Sequence, residues 1–307
     1  MTALILAPLA LLGIVVLFRF VGCTLDRSGL LEEAVGWDYD GTVLSHANLA
    51  GYWRLGEAAG TTANDETGAN NGTYESATLA EDAAALSPAA PGVTTLGATG
   101  MIVSDAVHTS VHVDGGYVEV PFAAALNTAQ FSIEIWAAAD WDPAETVGAS
   151  AAPYRCLMAS REVSGGPGGS PRGFTLYAGP DNTIPGDTTF RWQIWVGTGV
   201  AGSDWVRLVG PAVEFGTPTH LAATYDGTTL KLYVNGSEDE AGTPDESTAT
   251  GYSPNTSSPL YIGMGAPEAP APLYPFKGRL QEAAVYNAAL TPAQVDDRVI
   301  AGTTTGP

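Results

Sequence analysis

Carboxylates and histidines are the side chains of this 307-residue chain that could carry acid–base chemistry, and neither type forms a catalytic pattern. Glycoside hydrolysis needs two carboxyl groups placed around the bond that is cleaved. Glu134 lies in the alternating segment 131–136, but the residues that share its face of a strand are Ser132, Trp136 and Ala138. Of the four histidines, only His108 and His112 have metal-ligand spacing, and their strand-like context does not put them on one helix face. No Gly-x-Ser-x-Gly motif occurs. We therefore expect no catalysis.

Aromatic side chains with polar neighbours form a second pattern, which suits ligand binding. In the alternating segments 131–136, 190–196 and 230–235, one face is apolar and the other carries an aromatic ring among polar residues. The predicted binding residues all belong to that second face and are Trp136, Trp195, Tyr233, Glu134, Arg191, Gln193 and Lys231. Rings beside donors and acceptors fit a glycan or a protein surface. Alternatively, loops predicted at 161–173 or 238–259 cover these aromatics.

The loop 64–72 combines side-chain oxygens with glycines, a composition that suits calcium because this ion takes many oxygen ligands from flexible loops. Asp65 and Asn70 are its predicted ligands. The same residue types are the best turn formers, so an ordinary turn is the alternative.

The N-terminus predicts contact with a membrane. Residues 3–18 are apolar, and with Arg19 reaching the interface the run is about 20 residues long, enough to span a bilayer. The residues Phe-Val-Gly-Cys that end at Cys23 are similar to a bacterial lipobox, although no basic residue precedes the run. Residues 1–23 are therefore an uncleaved anchor, a lipoprotein-type signal with Cys23 lipidated, or an ordinary signal peptide. Each interpretation places the protein at a cell surface, in the periplasm, outside the cell or on a virion surface.

Charge excludes one class of partner. The chain has 12 Lys and Arg against 33 Asp and Glu, a net charge of −21. Nucleic acid requires a basic footprint, so it is not an expected partner. The two cysteines, Cys23 and Cys156, form no disulfide framework, and Cys156 is expected to be a buried thiol.

An all-β fold must position these residues. From residue 39 onward, short alternating segments are separated by Gly, Asn, Asp and Pro, and Asp226-Gly227 indicates a hairpin turn. One short C-terminal helix is expected, with Thr291 as its N-cap and Pro292 at its first position. Strands without intervening helices predict an antiparallel sandwich. The expected divisions are a membrane segment 1–23, a connector 24–38, a sandwich 39–302 and a tail 303–307.

These segments together resemble the laminin G-like, concanavalin A-like jelly-roll domains of the lectin/glucanase superfamily. The stretch 39–74, which includes Gly-Tyr-Trp-Arg-Leu-Gly-Glu at 51–57, is similar to the first strand and turn of such domains. The segments 114–121, 131–136, 219–236 and 276–291 are similar to later strands and the terminal helix, in the right order. The resemblance covers roughly residues 39–301 and implies a two-sheet antiparallel jelly roll with a binding role.

The resemblance also bears on the metal. Domains of this family often hold a calcium ion at the rim, with ligands from the early loop and from the closing strand. Here Gln281 stands where an Asp is common, and Glu282 follows it. The resemblance thus adds Glu282 to Asp65 and Asn70 as a predicted calcium ligand.

We expect a non-catalytic, membrane-anchored, outward-facing module that recognises a glycan or a protein surface. Two other functions stay open, because one fold hosts many functions. The chain is alternatively a structural subunit of a virion or cell-surface assembly, or, third, a glycoside hydrolase. A concave aromatic groove favours binding, whereas a long exposed strand edge favours assembly.

Overall fold

The computed structural model describes residues 24–25, 31–32, 38–76, 93–105, 107–141, 154–164, 169–181, 183–202, 205–236, 246–265 and 274–304. The predicted N-terminal helix and Cys23 lie outside these residues. Within the described part of the chain, no helix has both the length and the apolar character needed to cross a membrane.

Strands dominate the fold. In chain order they are β1 (Thr24–Leu25), β2 (Leu31–Glu32), β3 (Leu49–Trp53), β4 (Thr62–Ala63), β5 (Gly72–Ser76), β6 (Val93–Ala98), β7 (Ser110–Asp114), β8 (Gly116–Val120), β9 (Phe131–Ala139), β10 (Arg155–Ser164), β11 (Ser170–Gly179), β12 (Arg191–Val196), β13 (Val206–Ala212), β14 (Thr219–Tyr225), β15 (Thr229–Val234), β16 (Glu246–Ala249), β17 (Leu260–Ile262) and β18 (Lys277–Tyr286). The two α-helices of the described residues are α1 (Tyr39–Leu44) and α2 (Pro292–Thr303).

The described strands form two large antiparallel sheets, besides a small β1–β2 pair. Sheet I has the order β13-β12-β11-β10-β17-β8-β5-β4. Sheet II has the order β16-β15-β14-β9-β18-β7-β6, and β3 also pairs with β18. Every named pairing is antiparallel, so the predicted all-β antiparallel sandwich is confirmed.

Alternation along the strands builds the core between the sheets. On β9 the core side chains are Phe131, Ile133 and Ile135, and on β12 they are Trp192 and Ile194, all buried. Since successive strand residues face opposite sides, the intervening residues lie on the outer face of each sheet. What covers these outer faces therefore decides which polar residues a ligand can reach.

Two sequence signals for local structure are confirmed. At the β14–β15 hairpin, the Asp226 carboxylate accepts bonds from the backbone N–H groups of Thr228 and Thr229, and Gly227 has a φ of 101°. At α2, the Thr291 hydroxyl accepts from the Gln294 N–H and the Gln294 side chain accepts from the Thr291 N–H, a reciprocal capping box.

The predicted loop 161–173 is partly wrong. Arg161 pairs with Gly173 and Ser164 with Ser170, so both flanks of this segment continue the β10–β11 ladder. Glycine and proline are usually turn signals, but here Gly173 takes a φ of 79° at a position where a Cβ would meet the Ser160 carbonyl oxygen, 1.6 Å away. The strand therefore tolerates, and at this point requires, glycine.

Candidate functional site

The predicted binding residues do not share one surface, and this part of the prediction is wrong. Trp136 and Glu134 lie on β9 and Tyr233 and Lys231 on β15, all in sheet II, whereas the three on β12 lie in sheet I. Alternation placed each side chain on the outer face of its own sheet. The two outer faces point away from each other across the sandwich.

The outer face of sheet II is covered. Trp136, Glu134 and Tyr233 are at most 2% exposed, because α1 and α2 pack over them, while Lys231 stays half-buried. The Trp136 ring contacts Tyr39 of α1 edge-on with ring centres 6.2 Å apart. The alternative of covered aromatics thus holds for sheet II, where residues of α1 and α2 pack against them.

Glu134 has a structural role under α2. Its carboxylate accepts bonds from Arg298 Nε at 3.0 Å and from the Tyr286 hydroxyl, and it lies 3.1 Å from His220 Nε2. Burial by itself raises the pKa of Glu134, but the Arg298 guanidinium and the His220 imidazole hold it below its usual value. Glu134 is therefore an ionised anchor for the helix.

An aromatic cluster occupies the outer face of sheet I. We define it as Tyr154, Tyr177, Trp195 and Tyr274. The Trp195 ring lies edge-on to Tyr154 and Tyr177, with ring centres 5.4 and 5.6 Å apart, and Tyr274 lies edge-on to Tyr177 at 5.7 Å. Trp195 and Tyr274 are partly exposed, whereas Tyr154 and Tyr177 are buried. The cluster thus presents ring edges and surfaces that a ligand can contact.

Polar side chains fix the orientation of Trp195. The Trp195 indole N–H donates to Gln193 Oε1 at 2.9 Å, and Gln193 Nε2 donates to the Gly179 carbonyl at 2.8 Å. The Arg207 guanidinium lies over the Trp195 ring, 5.5 Å from its centre, and donates to Asp181 at 3.2 Å. Gln193 is therefore a buried support, not a ligand contact.

A surface cleft adjoins the aromatic cluster. It has a volume of about 380 Å³, within the range usual for ligand pockets. Its lining includes Asp181, Ile184, Arg191, Val209, Pro211 and Glu246. The Arg207–Asp181 pair joins cleft and cluster, because Arg207 contacts Trp195 while Asp181 lines the cleft. We refer to the cleft and the aromatic cluster together as the sheet I site.

Two aspartates stiffen the cleft wall between β11 and β12. The Asp181 carboxylate accepts from the hydroxyl and the N–H of Thr183, and the Asp187 carboxylate accepts from the Thr189 N–H at 3.0 Å. These bonds hold the pKa values of Asp181 and Asp187 below their usual range. Both side chains stay ionised in mildly acidic as well as neutral solution.

Of the predicted calcium ligands, Asp65 and Asn70 are in contact, but both the N–H and the side-chain amide of Asn70 donate to Asp65. The Asp65 carboxylate accepts from the N–H groups of Tyr52, Thr67 and Asn70 at 2.8–3.0 Å, so its oxygens organise a turn. Glu282 instead contacts the other end of Tyr52, its hydroxyl. Among the described residues, no cluster of three or more acidic, histidine or cysteine side chains suits a metal. Calcium binding stays a prediction. The N–H groups that donate to the Asp65 carboxylate would have to be displaced before its oxygens could bind the ion.

Glu282 belongs to a partly buried ion network. It accepts from Arg54, which also pairs with Asp40 at 3.0 Å and Asp105 at 2.7 Å. Burial raises the pKa of Glu282 to about 7, and Arg54 offsets only part of this rise.

Sequence reasoning found three residues of the sheet I site or its support, Arg191, Gln193 and Trp195, and missed the others. The sequence contains a signal for Tyr177, because the alternation of Phe174-Thr-Leu-Tyr places it on the face opposite to the core residues. Asp181 and Tyr154 lie just outside strands, where alternation gives no signal.

Three solved structures illustrate what the chain is similar to. Domain 4 of AbnA, a GH43 extracellular arabinanase from Geobacillus stearothermophilus solved with arabinotriose, is 17% identical, with 82% of this chain and 98% of that domain covered, at a TM-score of 0.45. Trypanosoma rangeli sialidase is 16% identical, with 97% and 40% covered, at 0.50. The binding domain of Paraclostridial Mosquitocidal Protein 1 is 12% identical, with 82% and 52% covered, at 0.50.

At such low identities, the likeness to the sialidase and to the mosquitocidal binding domain shows a shared fold alone. The chain spans only 40% of the sialidase and 52% of the mosquitocidal binding domain. No curated protein sequence matches the chain. The family model Laminin_G_3, described as the concanavalin A-like lectin/glucanases superfamily, matches residues 113–296, more than half of the chain. With its two antiparallel sheets and C-terminal helix, the chain belongs to the concanavalin A-like lectin/glucanases superfamily.

Proposed function

We propose that the chain is a non-catalytic, outward-facing module that binds a glycan at the sheet I site. The observation that carries this proposal is the cleft of about 380 Å³ that adjoins a partly exposed aromatic cluster on a rigid sheet. Sugar rings combine apolar faces with many hydroxyl groups. A site for them needs ring surfaces together with fixed donors and acceptors.

The sheet I site supplies both kinds of contact. Trp195 and Tyr274 offer ring surface, while Arg191 provides donors and Asp181 and Glu246 provide acceptors around the cleft. Gln193 and Arg207 hold Trp195 in place before any ligand arrives. Such preorganisation lowers the entropy cost of binding. The family description, which names lectins and glucanases, makes carbohydrate the first ligand class to test.

Two features support the absence of catalysis. The acid catalyst of a glycosidase keeps a proton near neutral pH, which requires a raised pKa. Asp181, which lines the cleft, and Asp187, which lies beside Arg191, have lowered pKa values instead. Glu134, the carboxylate on the aromatic strand β9, is fully buried and paired with Arg298, so it does not meet a substrate.

Attachment to a membrane through residues 1–23 completes the proposal. The apolar run 3–18 supports it, and a module displayed at a cell surface or outside the cell would meet glycans there. A protein surface is the competing partner, since aromatic and arginine side chains also serve protein interfaces.

A glycan array probed with the full chain tests this function. We expect the wild-type chain to retain specific glycans and Arg191→Ala to lose most of that signal, because Arg191 lines the cleft and its side chain is 34% exposed. Arg279→Ala is the matched control, since Arg279 lies on sheet II and bonds to the Thr99 carbonyl. Equal signals from both variants, or no retained glycan, would count against the proposal.

A further inference from the structure

Arginines are concentrated on one half of sheet I. Five of the 12 basic residues of the chain lie on the adjacent strands β10 to β13, namely Arg155, Arg161, Arg172, Arg191 and Arg207. In a chain with a net charge of −21, such a concentration raises the question of whether this face attracts anionic ligands.

Each of these arginines has a partner within the protein. Arg155 donates to the Pro275 carbonyl at 3.2 Å and Arg172 to the Ser253 hydroxyl at 2.9 Å. Arg161 donates to the Tyr177 hydroxyl at 3.1 Å and lies over the Trp205 ring. These contacts fasten loops and rings to the sheet. These named partners are neutral, so the three arginines keep their charge, but none of them is among the described residues that line the cleft.

The two arginines of the sheet I site face carboxylates. Arg207 pairs with Asp181 at 3.2 Å, and Arg191 lies 3.9 Å from Asp187. Glu246 adds an exposed carboxylate on the other side of the cleft. Around the cleft, three carboxylates therefore outnumber two guanidinium groups.

Two of the three carboxylates, Asp181 and Asp187, keep their charge in mildly acidic solution. The hydroxyl and N–H bonds from Thr183 and Thr189 that lower the pKa values of Asp181 and Asp187 keep both groups ionised in mildly acidic solution. Charges within about 8 Å of a ligand act on it with little screening at physiological salt, so the balance at the cleft matters more than the net charge of distant surfaces.

We propose that the sheet I site selects uncharged glycans and discriminates against chains that carry carboxylate or sulfate groups, an inference that rests on the proposed glycan binding. A neutral sugar satisfies Asp181, Arg191 and Glu246 with hydroxyl groups that donate and accept. An anionic sugar would gain one contact at Arg191 and meet the uncompensated negative charge beside it.

Binding assays with paired probes test the selectivity. Cellohexaose, xylohexaose and arabinohexaose serve as neutral probes, and oligogalacturonate, heparin and sialyllactose as anionic probes. We expect the full chain to bind at least one neutral probe, with an affinity that changes less than about twofold between low and high salt. Anionic probes should bind more weakly, and any residual binding should strengthen as salt rises.

A charge-reversal variant sharpens the test. Glu246→Lys should raise the ratio of anionic-probe affinity to neutral-probe affinity by about tenfold, because it replaces a negative charge at the cleft with a positive one. Glu75→Lys is the control and should leave this ratio unchanged, because Glu75 is exposed like Glu246 of β16 but lies on β5, near the edge of sheet I opposite to β13. Tighter binding of an anionic probe by the wild type, weakened by salt, would overturn the selectivity and leave glycan binding intact. Failure of every probe would overturn the proposed glycan binding and the selectivity together.

Discussion

Single side chains on the outer faces of the two sheets have opposite roles. Strand alternation places both Trp136 and Trp195 on outer faces. Trp136 is buried under α1 and α2, whereas Trp195 stays partly exposed beside Arg207. The difference lies in their neighbours, not in the residues themselves. Neighbours also set two buried carboxylates apart. The pKa of Glu134 is lowered, so this residue is an ionised anchor, whereas the pKa of Glu282 is raised.

Glu282 predicts a pH dependence of stability. Its pKa of about 7 in the folded protein exceeds the ordinary value of 4.5, so the folded state binds the proton more tightly. Relative to Glu282→Gln, the free energy of unfolding of the wild type should fall by up to about 3 kcal/mol as the pH rises from 4.5 through 7. Denaturant unfolding of both proteins across this range gives the difference.

Contributions of other titrating groups to the free energy of unfolding are expected to cancel between the wild type and Glu282→Gln. Asp38, whose pKa is raised to about 6 by its neighbour Asp40, is present in both proteins, as are Asp105 and Arg54. Glu75→Gln, an exposed carboxylate, serves as the control and should track the wild type. The prediction concerns the free energy of unfolding of the wild type minus that of Glu282→Gln. If this quantity stays constant or rises with pH, burial does not raise the Glu282 pKa.

Helix α2 buries part of the outer face of sheet II. Arg298 of α2 is 1% exposed and bonds to Glu134 of β9, while the helix residue Gly302 packs so closely on Trp136 that a Cβ would lie 2.5 Å from the indole ring. The helix therefore closes a second core over polar residues. A ligand cannot reach Trp136 while α2 is docked.

Loss of the Arg298 side chain should destabilise the fold strongly. Arg298→Ala leaves the Glu134 carboxylate buried without its guanidinium partner, which costs about 3–5 kcal/mol. The double variant Arg298→Met with Glu134→Gln removes both charges and should recover a large part of that loss. Denaturant unfolding measures both, with Arg279→Ala as an exposed control. A loss of under about 1 kcal/mol for Arg298→Ala would contradict the anchoring role.

For the molecule as a whole, the sequence predicts the layers of the fold better than their arrangement. Period-two alternation separates core from outer residues on β9, β12 and β15, because one side of each strand must be apolar. It carries no information on which strands share a sheet, since that depends on long-range pairing. Three aromatics placed on one predicted face therefore divide between two sheets.

The sequence also does not predict which elements cover the outer faces of the sheets. The capping box at Thr291 and Gln294 predicts where α2 begins, but not that its buried face seals Trp136. Likewise, the oxygen-rich loop 64–72 predicts a turn and a calcium site equally well, and only the hydrogen bonds to Asp65 separate the two.

Membrane attachment is a prediction about the whole chain. Because residues 3–18 are apolar, the full-length protein should fractionate with membranes, and deletion of residues 1–23 should release it. Loss of fatty-acid labelling in Cys23→Ser would identify the lipoprotein-type signal, and unchanged attachment would identify a retained helix. Full-length protein found in the soluble fraction would contradict all anchored forms.

The central claim, glycan binding at the sheet I site, is tested most directly by titration calorimetry on two matched tryptophan variants with a neutral oligosaccharide that the wild type binds. Trp195→Ala should abolish measurable binding while costing only roughly 1–2 kcal/mol of stability, because Trp195 is partly exposed. Trp136→Ala should cost roughly 3–5 kcal/mol of stability, yet its folded fraction should keep wild-type affinity, because Trp136 is buried under α1 and α2. Unchanged affinity in Trp195→Ala, or lost affinity in folded Trp136→Ala, would contradict the claim.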